Sequence, residues 1–286
     1  MLRFMYRVVR VSNGRYQVVV DGVVVDMIAR KRFKSKDGIL VGDWVEYSIQ
    51  AGQAVIETVH LRVNSLIRPH VANIDGVIVV LSSVPTPDYL MVDKLSYNCA
   101  MQSIDLVVCV NKLDLVDADF LIGVQDRYKR VCRIVGTTAL YDRVDELRAV
   151  LQGKLYALAG QSAVGKSSLI NSLTNATQSI GDLSQKLQRG RHTTTGSRLF
   201  VIDQDSYLID TPGFSMLDVV DIAPNQLSEY VVDFDQLRGL CKYSSCTHTV
   251  EPECAIMRGV ASGDINASRY HNYTLIYNQL ANKKRF

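Results

Sequence analysis

The first 65 residues alternate short runs of β-branched and aromatic residues with tight-turn signals. The runs typical of strands are Tyr6–Val11, Tyr16–Val20, Val23–Ala29, Trp44–Ile49 and Ala54–Val59. Asn13-Gly14 and Asp21-Gly22 separate the first three runs, and Asn-Gly or Asp-Gly at such a place is a strong hairpin signal. Five short strands without helices predict a small closed β-barrel of the OB type over residues 1–65.

From about residue 74 the pattern changes to fully apolar strands that alternate with helical segments. Strands are expected at Ile74–Leu81, Leu106–Val110, Val131–Val135, Leu155–Ala159, Leu199–Ile202 and Ser206–Ile209, and helices at Tyr89–Met101, Phe120–Tyr128, Val144–Leu151 and from Lys166 onward. This alternation is typical of a mostly parallel sheet covered on both faces. We expect an α/β domain over residues 70–220 and a helical, irregular domain over residues 221–286.

The composition is that of an ordinary globular protein, with 47% hydrophobic and 21% charged residues. The apolar runs are short and broken by charges, which predicts neither a membrane span nor a signal peptide. We therefore expect a cytoplasmic protein without a membrane partner. The net charge of +3 identifies no nucleic-acid binder, and the basic clusters at residues 30–36 and 283–285 are also consistent with solvated loops.

Residues 160–167 match the phosphate-binding pattern G-x-x-x-x-G-K-[ST], between a predicted strand and a predicted helix. The predicted nucleotide-binding set of this loop is Gly160, Gln161, Ser162, Ala163, Val164, Gly165, Lys166, Ser167 and Ser168. The glycines let backbone N–H groups turn toward phosphate oxygens at a helix N-terminus. Lys166 would reach the β- and γ-phosphates and assist catalysis, and the Ser167 hydroxyl would coordinate Mg²⁺. A chance match is the alternative, which the flanking strand and helix disfavour.

A second element, Asp210-Thr211-Pro212-Gly213, follows the last predicted strand. The Asp210 carboxylate would hold Mg²⁺ through its coordination shell, and Gly213 would present its N–H group to the γ-phosphate. Alone, this tetrapeptide fits any turn. Its position after the phosphate-binding loop makes it specific.

Which nucleotide base is bound is indicated by four residues that follow a buried strand: Asn111, Lys112, Leu113 and Asp114. The Asp114 carboxylate can accept hydrogen bonds from guanine N1–H and the exocyclic amine, whereas adenine would leave it unpaired. Asn111 would tie this loop to the phosphate-binding loop, and the Lys112 stem would cover one face of the base. An ordinary surface turn is the alternative for this motif alone, but the three motifs together predict GTP and GDP as ligands.

The order of these motifs is inverted, because the N-K-x-D motif precedes the phosphate-binding loop by about 50 residues. A sheet needs no particular chain order to form its site if the old ends are joined and new ends open in loops. The sequence therefore predicts a circularly permuted P-loop GTPase. The D-x-x-G motif then leads directly into the C-terminal domain, which offers a route for transmitting the nucleotide state.

The catalytic apparatus differs from that of Ras, because Phe214 stands where a water-orienting glutamine often follows D-x-x-G. We expect slow intrinsic hydrolysis. Gly190–Thr195 is the candidate first switch, in which Thr194 or Thr195 would ligate Mg²⁺ and His192 would orient water. A solvated loop or a partner contact is equally consistent with His192. A nucleotide-regulated RNA-binding scaffold with vestigial hydrolysis is therefore an open alternative.

Cys241, Cys246, His248 and Cys254 supply three thiolates and an imidazole within 14 residues. Such a set favours structural Zn²⁺, which keeps all four tetrahedral positions filled by protein. Disulfides are the competing interpretation, which the interleaved histidine and a cytoplasmic location disfavour. The aromatic and basic residues nearby form an RNA-binding face or cover a small core: Tyr243, Arg258, Arg269, Tyr270 and Tyr273.

Taken in order, N-K-L-D, G-Q-S-A-V-G-K-S-S, G-R-H-T-T-T, D-T-P-G-F and the cysteine cluster resemble the RsgA (YjeQ) family of bacterial GTPases that depend on the small ribosomal subunit. The resemblance covers nearly the whole chain, including the OB-like region and His70–Asp75. It implies a late-acting assembly factor that binds the small ribosomal subunit and has its GTPase stimulated there. We also expect rRNA rather than DNA as the partner, and a monomer. By the same resemblance, His192 matches the proposed catalytic histidine of the family.

Overall fold

The computed structural model describes residues 5–33, 38–66, 70–139, 143–175, 197–203, 205–211 and 222–283. Within these segments, no helix is both long and apolar enough to cross a bilayer. The strands are β1 (Tyr6–Ser12), β2 (Arg15–Val20), β3 (Val23–Ala29), β4 (Trp44–Gln50), β5 (Gln53–Val59), β6 (Ser65–Leu66), β7 (Val71–Ala72), β8 (Gly76–Leu81), β9 (Asp105–Val110), β10 (Arg133–Gly136), β11 (Leu155–Ala159), β12 (Arg198–Val201) and β13 (Tyr207–Asp210). The α-helices are α1 (Tyr89–Met101), α2 (Ala118–Tyr128), α3 (Asp145–Leu151), α4 (Lys166–Asn175), α5 (Ala255–Ser262) and α6 (Ala267–Asn282).

The first five strands close into a barrel in the order β1-β2-β3-β5-β4, with β4 returning to β1. β3 and β5 pair in parallel, and the other neighbours are antiparallel. Asn13, Gly14, Asp21 and Gly22 all have φ between +47° and +76°, as two-residue hairpin turns require. Inward-facing apolar side chains fill the barrel. The predicted OB-type barrel is confirmed.

The α/β part is a sheet of order β10-β9-β8-β11-β13-β12, in which only β12 runs antiparallel to its neighbour β13. Separate apolar clusters cover its two faces, as expected for strands as apolar as Gly76–Leu81. Parallel strands deliver the loops that follow them to one edge of a sheet. The loops after β8, β9 and β11 and the residues that directly follow β10 and β13 therefore meet there, whatever their order along the chain.

The barrel and the α/β sheet are hydrogen-bonded to each other. β1 pairs with β12, and Arg10 lies opposite Arg198, so that eleven strands of the described segments form one continuous sheet. We call this line of pairing the seam.

Three elements begin two residues away from their predicted starts, each for a local reason. Helix α2 begins at Ala118 because the Asp117 carboxylate accepts from the Phe120 N–H and caps it. β10 begins at Arg133 because the N–H groups of residues 131 and 132 close the turn after α2 onto Tyr128 O. β8 begins at Gly76, since the N–H of residue 74 bonds to the side chain of residue 64.

The C-terminal region packs against α1. Helix α1 belongs to two cores, because Leu95 and Cys99 pack under the sheet whereas Tyr97 packs with Phe234 and Tyr273 of the C-terminal region. Of the two interpretations open for Tyr273, coverage of a small core is therefore the one that the structure shows.

A buried ionic cluster joins α1 to α6. Arg269 is 1% exposed and donates to Asp93, which is 0% exposed, and to Asp233 at 2.7 Å. Asn272 Nδ2 also donates to Asp93 at 2.6 Å. Each buried charge therefore has an opposite charge and a hydrogen bond, which buried ions require.

Arg269→Ala is expected to lower the free energy of unfolding by about 3–5 kcal/mol, because it leaves Asp233 buried without its counter-ion and Asp93 with only Arg127 at 3.9 Å. Urea unfolding measures this loss. Lys129→Ala is the matched control, since it breaks an exposed ion pair with Asp126 and should change stability little. Equal losses in the two variants would contradict a stabilising role for the cluster.

Candidate functional site

The loop from Gly160 to Lys166 has the backbone that a phosphate cradle needs. Gly160 has a φ of +138°, and a Cβ there would lie 2.5 Å from Val80 O. Gly165 has a φ of +99°, and a Cβ there would lie 2.3 Å from Asn111 Nδ2. Buried Val164 anchors the loop in the core, while Ala163 adopts a left-handed φ of +66°. Both glycines are therefore required by space as well as by conformation.

Lys166, at the start of α4, lies folded over this loop. Its Nζ donates to Gly160 O at 2.7 Å and to Gln161 O at 2.6 Å. Burial lowers the pKa of Lys166, and Asp210 opposes that shift. Burial raises the pKa of Asp210, against the effects of Lys166 and of the Thr211 N–H. Burial thus penalises both charges, so a phosphate beside Lys166 and a cation beside Asp210 would each compensate one of them.

Asn111 connects three strand ends. Its Nδ2 donates to Val164 O at 3.0 Å, and its backbone N–H donates to Leu81 O at 2.8 Å. Its Oδ1 accepts from Thr137 Oγ1 at 3.0 Å. The structure therefore holds the N-K-L-D loop against the phosphate-binding loop, although 53 residues separate Asn111 from Val164.

The rest of the N-K-L-D motif surrounds that link. Lys112 Nζ donates to Ala163 O at 2.7 Å and to Val84 O at 3.1 Å. Leu113 packs so closely on Gly136 that a Cβ there would lie 2.6 Å from Leu113 Cδ1. Asp114 lies exposed in the short 3₁₀ turn Leu113–Leu115. Its carboxylate is thus presented to solvent beside a fixed loop.

Two supporting contacts were missed from the sequence. Thr137 follows β10 and fixes the orientation of the Asn111 amide, and its signal was a polar residue at the carboxyl end of an apolar strand. Gln161 Oε1 accepts from the N–H of Asp88, which caps α1, at 3.0 Å. That contact has no local signal, because it joins loops 73 residues apart.

The remaining predicted site residues are either exposed or half-buried near the phosphate-binding loop, or lie outside the described residues. Ser167 lies exposed and Ser168 half-buried in the first turn of α4, and Ser162 is exposed in the loop. The predictions for His192, Thr194 and Gly213 lie outside the described residues. So does Phe214, which stands where other GTPases often have a glutamine.

The predicted metal ligands come together. One ligand atom from each of Cys241, Cys246, His248 and Cys254 lies within 4.8 Å of all the others. His248 Nδ1 is 3.5 Å from the Sγ atoms of Cys241 and Cys254. Sulfur and nitrogen ligands around tetrahedral Zn²⁺ lie roughly 3–4 Å apart, given bond lengths of about 2.0–2.3 Å. All six cysteines of the chain are free thiols, so the disulfide alternative is wrong.

Two kinds of contact hold the loop that carries His248. Tyr270 OH donates to His248 O at 2.9 Å, and Tyr273 OH donates to Thr247 O at 2.6 Å. Glu251 accepts from the Thr247 hydroxyl at 2.6 Å and from the Thr247 N–H at 2.8 Å. Burial alone would raise the pKa of Glu251, but these hydrogen bonds lower it to about 2. The cluster is therefore supported by neighbours that are already paired.

Comparisons with known proteins agree with this geometry. The family model for the RsgA GTPase matches residues 59–220. The chain is 39% identical over 249 residues to the small ribosomal subunit biogenesis GTPase RsgA of Thermotoga neapolitana, covering 85% of this chain and 84% of the relative. It is 35% identical over 292 residues to the protein of the same name from Caldanaerobacter subterraneus, covering 100% of this chain and 98% of the relative.

Two solved structures are similar over almost the whole chain. YjeQ from Thermotoga maritima superposes with a TM-score of 0.79 at 34% identity, covering 99% of this chain and 100% of that structure. YloQ, described as a circularly permuted GTPase, gives a TM-score of 0.75 at 25% identity and covers 99% and 97% of the two chains. The permuted order is therefore a shared property of the fold.

Thr137→Val should weaken GDP binding about fivefold, the equivalent of one neutral hydrogen bond, because Asn111 Oδ1 loses its hydroxyl donor. Fluorescent-GDP titration measures the effect. Thr138→Val is the matched control, because this buried neighbour makes no side-chain hydrogen bond within the described segments. The same affinity in both variants would contradict a positioning role for Thr137.

Cys254→Ser should abolish stoichiometric zinc binding and lower the melting temperature, because a closed site has no spare ligand. Metal analysis of the purified protein and a thermal scan test both effects. Cys132→Ser serves as the control, since this cysteine lies outside the cluster and should leave a single zinc ion per chain. A zinc content unchanged in Cys254→Ser would contradict the proposed ligand set.

Proposed function

The chain belongs to the RsgA GTPase family, and on that premise we propose that it binds the small ribosomal subunit and hydrolyses GTP late in the assembly of that subunit. Its activity is GTP hydrolysis in small-subunit biogenesis. The proposal adds that the subunit itself stimulates the reaction. The observation that carries the proposed GTP binding and hydrolysis is the hydrogen bond from Asn111 Nδ2 to Val164 O, because it joins the base-reading loop to the phosphate-binding loop.

Guanine selection follows from the exposed Asp114 carboxylate. A carboxylate accepts both the N1–H and the exocyclic amine of guanine, and a base without those donors leaves it unpaired. The Asn111 contacts hold the loop before nucleotide arrives, so little ordering remains to oppose binding. We assign Lys112 and Leu113 to the same base pocket.

Phosphate recognition follows from the backbone of residues 160–168. The N–H groups of Gly160 to Ser168 would surround a phosphate at the N-terminal end of α4, where anions are favoured. On binding, Lys166 Nζ would exchange the carbonyls of Gly160 and Gln161 for phosphate oxygens, which restores the full charge that burial disfavours. The phosphate oxygens would thus replace the two carbonyl oxygens as the partners of Lys166 Nζ.

Magnesium fits the oxygen donors on the two sides of this loop. We assign the Ser167 hydroxyl and the Asp210 carboxylate to the Mg²⁺ site, both of them hard oxygen ligands. When bound, Mg²⁺ neutralises charge that develops on the β- and γ-phosphates. Thr211 Oγ1 donates to Leu158 O at 2.7 Å and thereby fixes the strand end that carries Asp210.

The hydrolytic step adds water to the γ-phosphorus and releases GDP and phosphate. From the sequence, we assign His192 to orienting that water, Thr194 to the Mg²⁺ shell and Gly213 to the γ-phosphate. Phe214 supplies no water-orienting amide, which makes slow hydrolysis by the isolated protein part of the proposal.

The flanking regions complete the proposal. We assign residues 1–65 to an OB-fold domain, 70–220 to the GTPase domain and 221–286 to a zinc-binding domain. The barrel and the zinc-binding domain would contact rRNA, and Zn²⁺ would have a structural role in the Cys₃His cluster. We further propose a monomer in the cytoplasm, where free thiols are the rule.

GTP turnover titrated with purified small subunits tests this function. The rate should rise on the order of a hundredfold or more at saturation, as for GTPases whose partner completes the site. Lys166→Ala should abolish the stimulated rate, whereas Lys129→Ala, an exposed lysine on α2, should retain it. If subunits do not raise the turnover rate and Lys166→Ala does not change it, the nucleotide-regulated scaffold would be supported instead.

A further inference from the structure

A row of side chains crosses the seam between the barrel and the GTPase sheet. In the register of the strands, Asp26 lies opposite Gln17, Gln17 opposite Arg10, Arg10 opposite Arg198, and Arg198 opposite Asp210. Directly opposed residues of antiparallel strands point to the same face of a sheet. These five side chains therefore share one face, and the two arginines form the middle of the row.

The two carboxylates at the ends of the row have other partners. Asp26 accepts from Gln17 Nε2 at 3.2 Å, and Asp210 interacts with Lys166. Neither Arg10 nor Arg198 forms an ion pair within the described parts of the chain. Two positive groups thus face each other directly, an arrangement that is unfavourable without an anion.

Arg198 also lacks the hydrogen bonds that its burial demands. The residue is 8% exposed, and its Nη2 atom is buried without a hydrogen-bond partner. Its guanidinium carbon lies 5.0 Å from the centre of the Phe200 ring, which holds the group in place. Burial lowers the pKa of Arg198, and Arg10 lowers it further. Buried unsatisfied groups are rare, and one kept beside a like charge indicates a binding role.

We propose that Arg10 and Arg198 clamp one phosphodiester group of RNA at the seam. Two forked guanidinium groups match the oxygens of a phosphate, which would supply both the missing acceptor and the missing negative charge. RNA as the source rests on the proposed function. It is favoured over free phosphate because Arg10 faces outward from a barrel of a type that binds nucleic-acid backbones along its surface.

The position of the clamp connects RNA binding to the nucleotide site. Arg198 begins β12, three residues after Thr195 of the candidate first switch. Arg198 also lies opposite Asp210 of the proposed Mg²⁺ site. A phosphate held by both arginines would fix β12 against the barrel, at the strand that joins the switch sequence to the sheet.

The test uses the full chain with Arg10→Gln and Arg198→Gln combined. Affinity for small subunits is measured with a non-hydrolysable GTP analogue at several salt concentrations. We expect a loss of roughly tenfold or more and a salt-dependence slope that is smaller by about one released counterion. Arg133→Gln, an exposed arginine on the edge strand β10, is the control for net charge and should change neither quantity.

Further readouts separate the clamp from a structural role. The double glutamine variant should keep its melting temperature and its GDP affinity, because it removes two unfavourable charges. The corresponding double lysine variant should recover the salt slope and part of the affinity, since it restores charge without the forked donors.

Three results would overturn the clamp. Subunit affinity equal to that of Arg133→Gln would refute it and leave the proposed function intact. Weaker GDP binding in the double variant would assign the arginines to the bound nucleotide. No binding of subunits by the unmodified protein would refute both the clamp and the proposed function.

Discussion

The Asn111 side chain is the link on which the nucleotide site depends. Its amide nitrogen bonds to the phosphate-binding loop, and its oxygen accepts from Thr137 at the end of the neighbouring strand. These contacts need the edge of a parallel sheet, where loops from distant parts of the chain meet. They do not need the loops to follow one another in any given order. Circular permutation is therefore compatible with the site, because the constraint acts between strand ends and not along the backbone.

Most of the elements could be predicted because their local signals agree. Helix Tyr89–Met101 and strand Leu155–Ala159 have the predicted bounds, since both are strongly apolar and lie between clear turns. The barrel followed from its turns, which place residues with positive φ between β-branched runs. The Cys₃His cluster followed from four ligand-type residues at short spacing, which chain proximity alone brings near one another.

The contacts that were missed join residues far apart in sequence. Asp93 and Arg269 are separated by 176 residues, and each alone resembles an ordinary charged position on a helix. Arg10 and Arg198 were likewise unremarkable until the β1–β12 register placed them opposite each other. Hydrophobic period and turn chemistry describe a residue's own element. They carry no information on which two elements become neighbours, and buried polar pairs depend on that information.

Helix α1 packs in two apolar cores at once, and this limits how freely the gene can be rearranged. Tyr97 and Asp93 face the C-terminal region, while Leu95 of the same helix packs under the sheet. A shortened chain without residues 222–283 would expose Tyr97 to water and deprive Asp93 of Arg269, on a helix whose Leu95 is still needed under the sheet. The segment with the Cys₃His cluster is therefore not an interchangeable module. Recombination or engineering that replaces it must also provide α1 with a new surface.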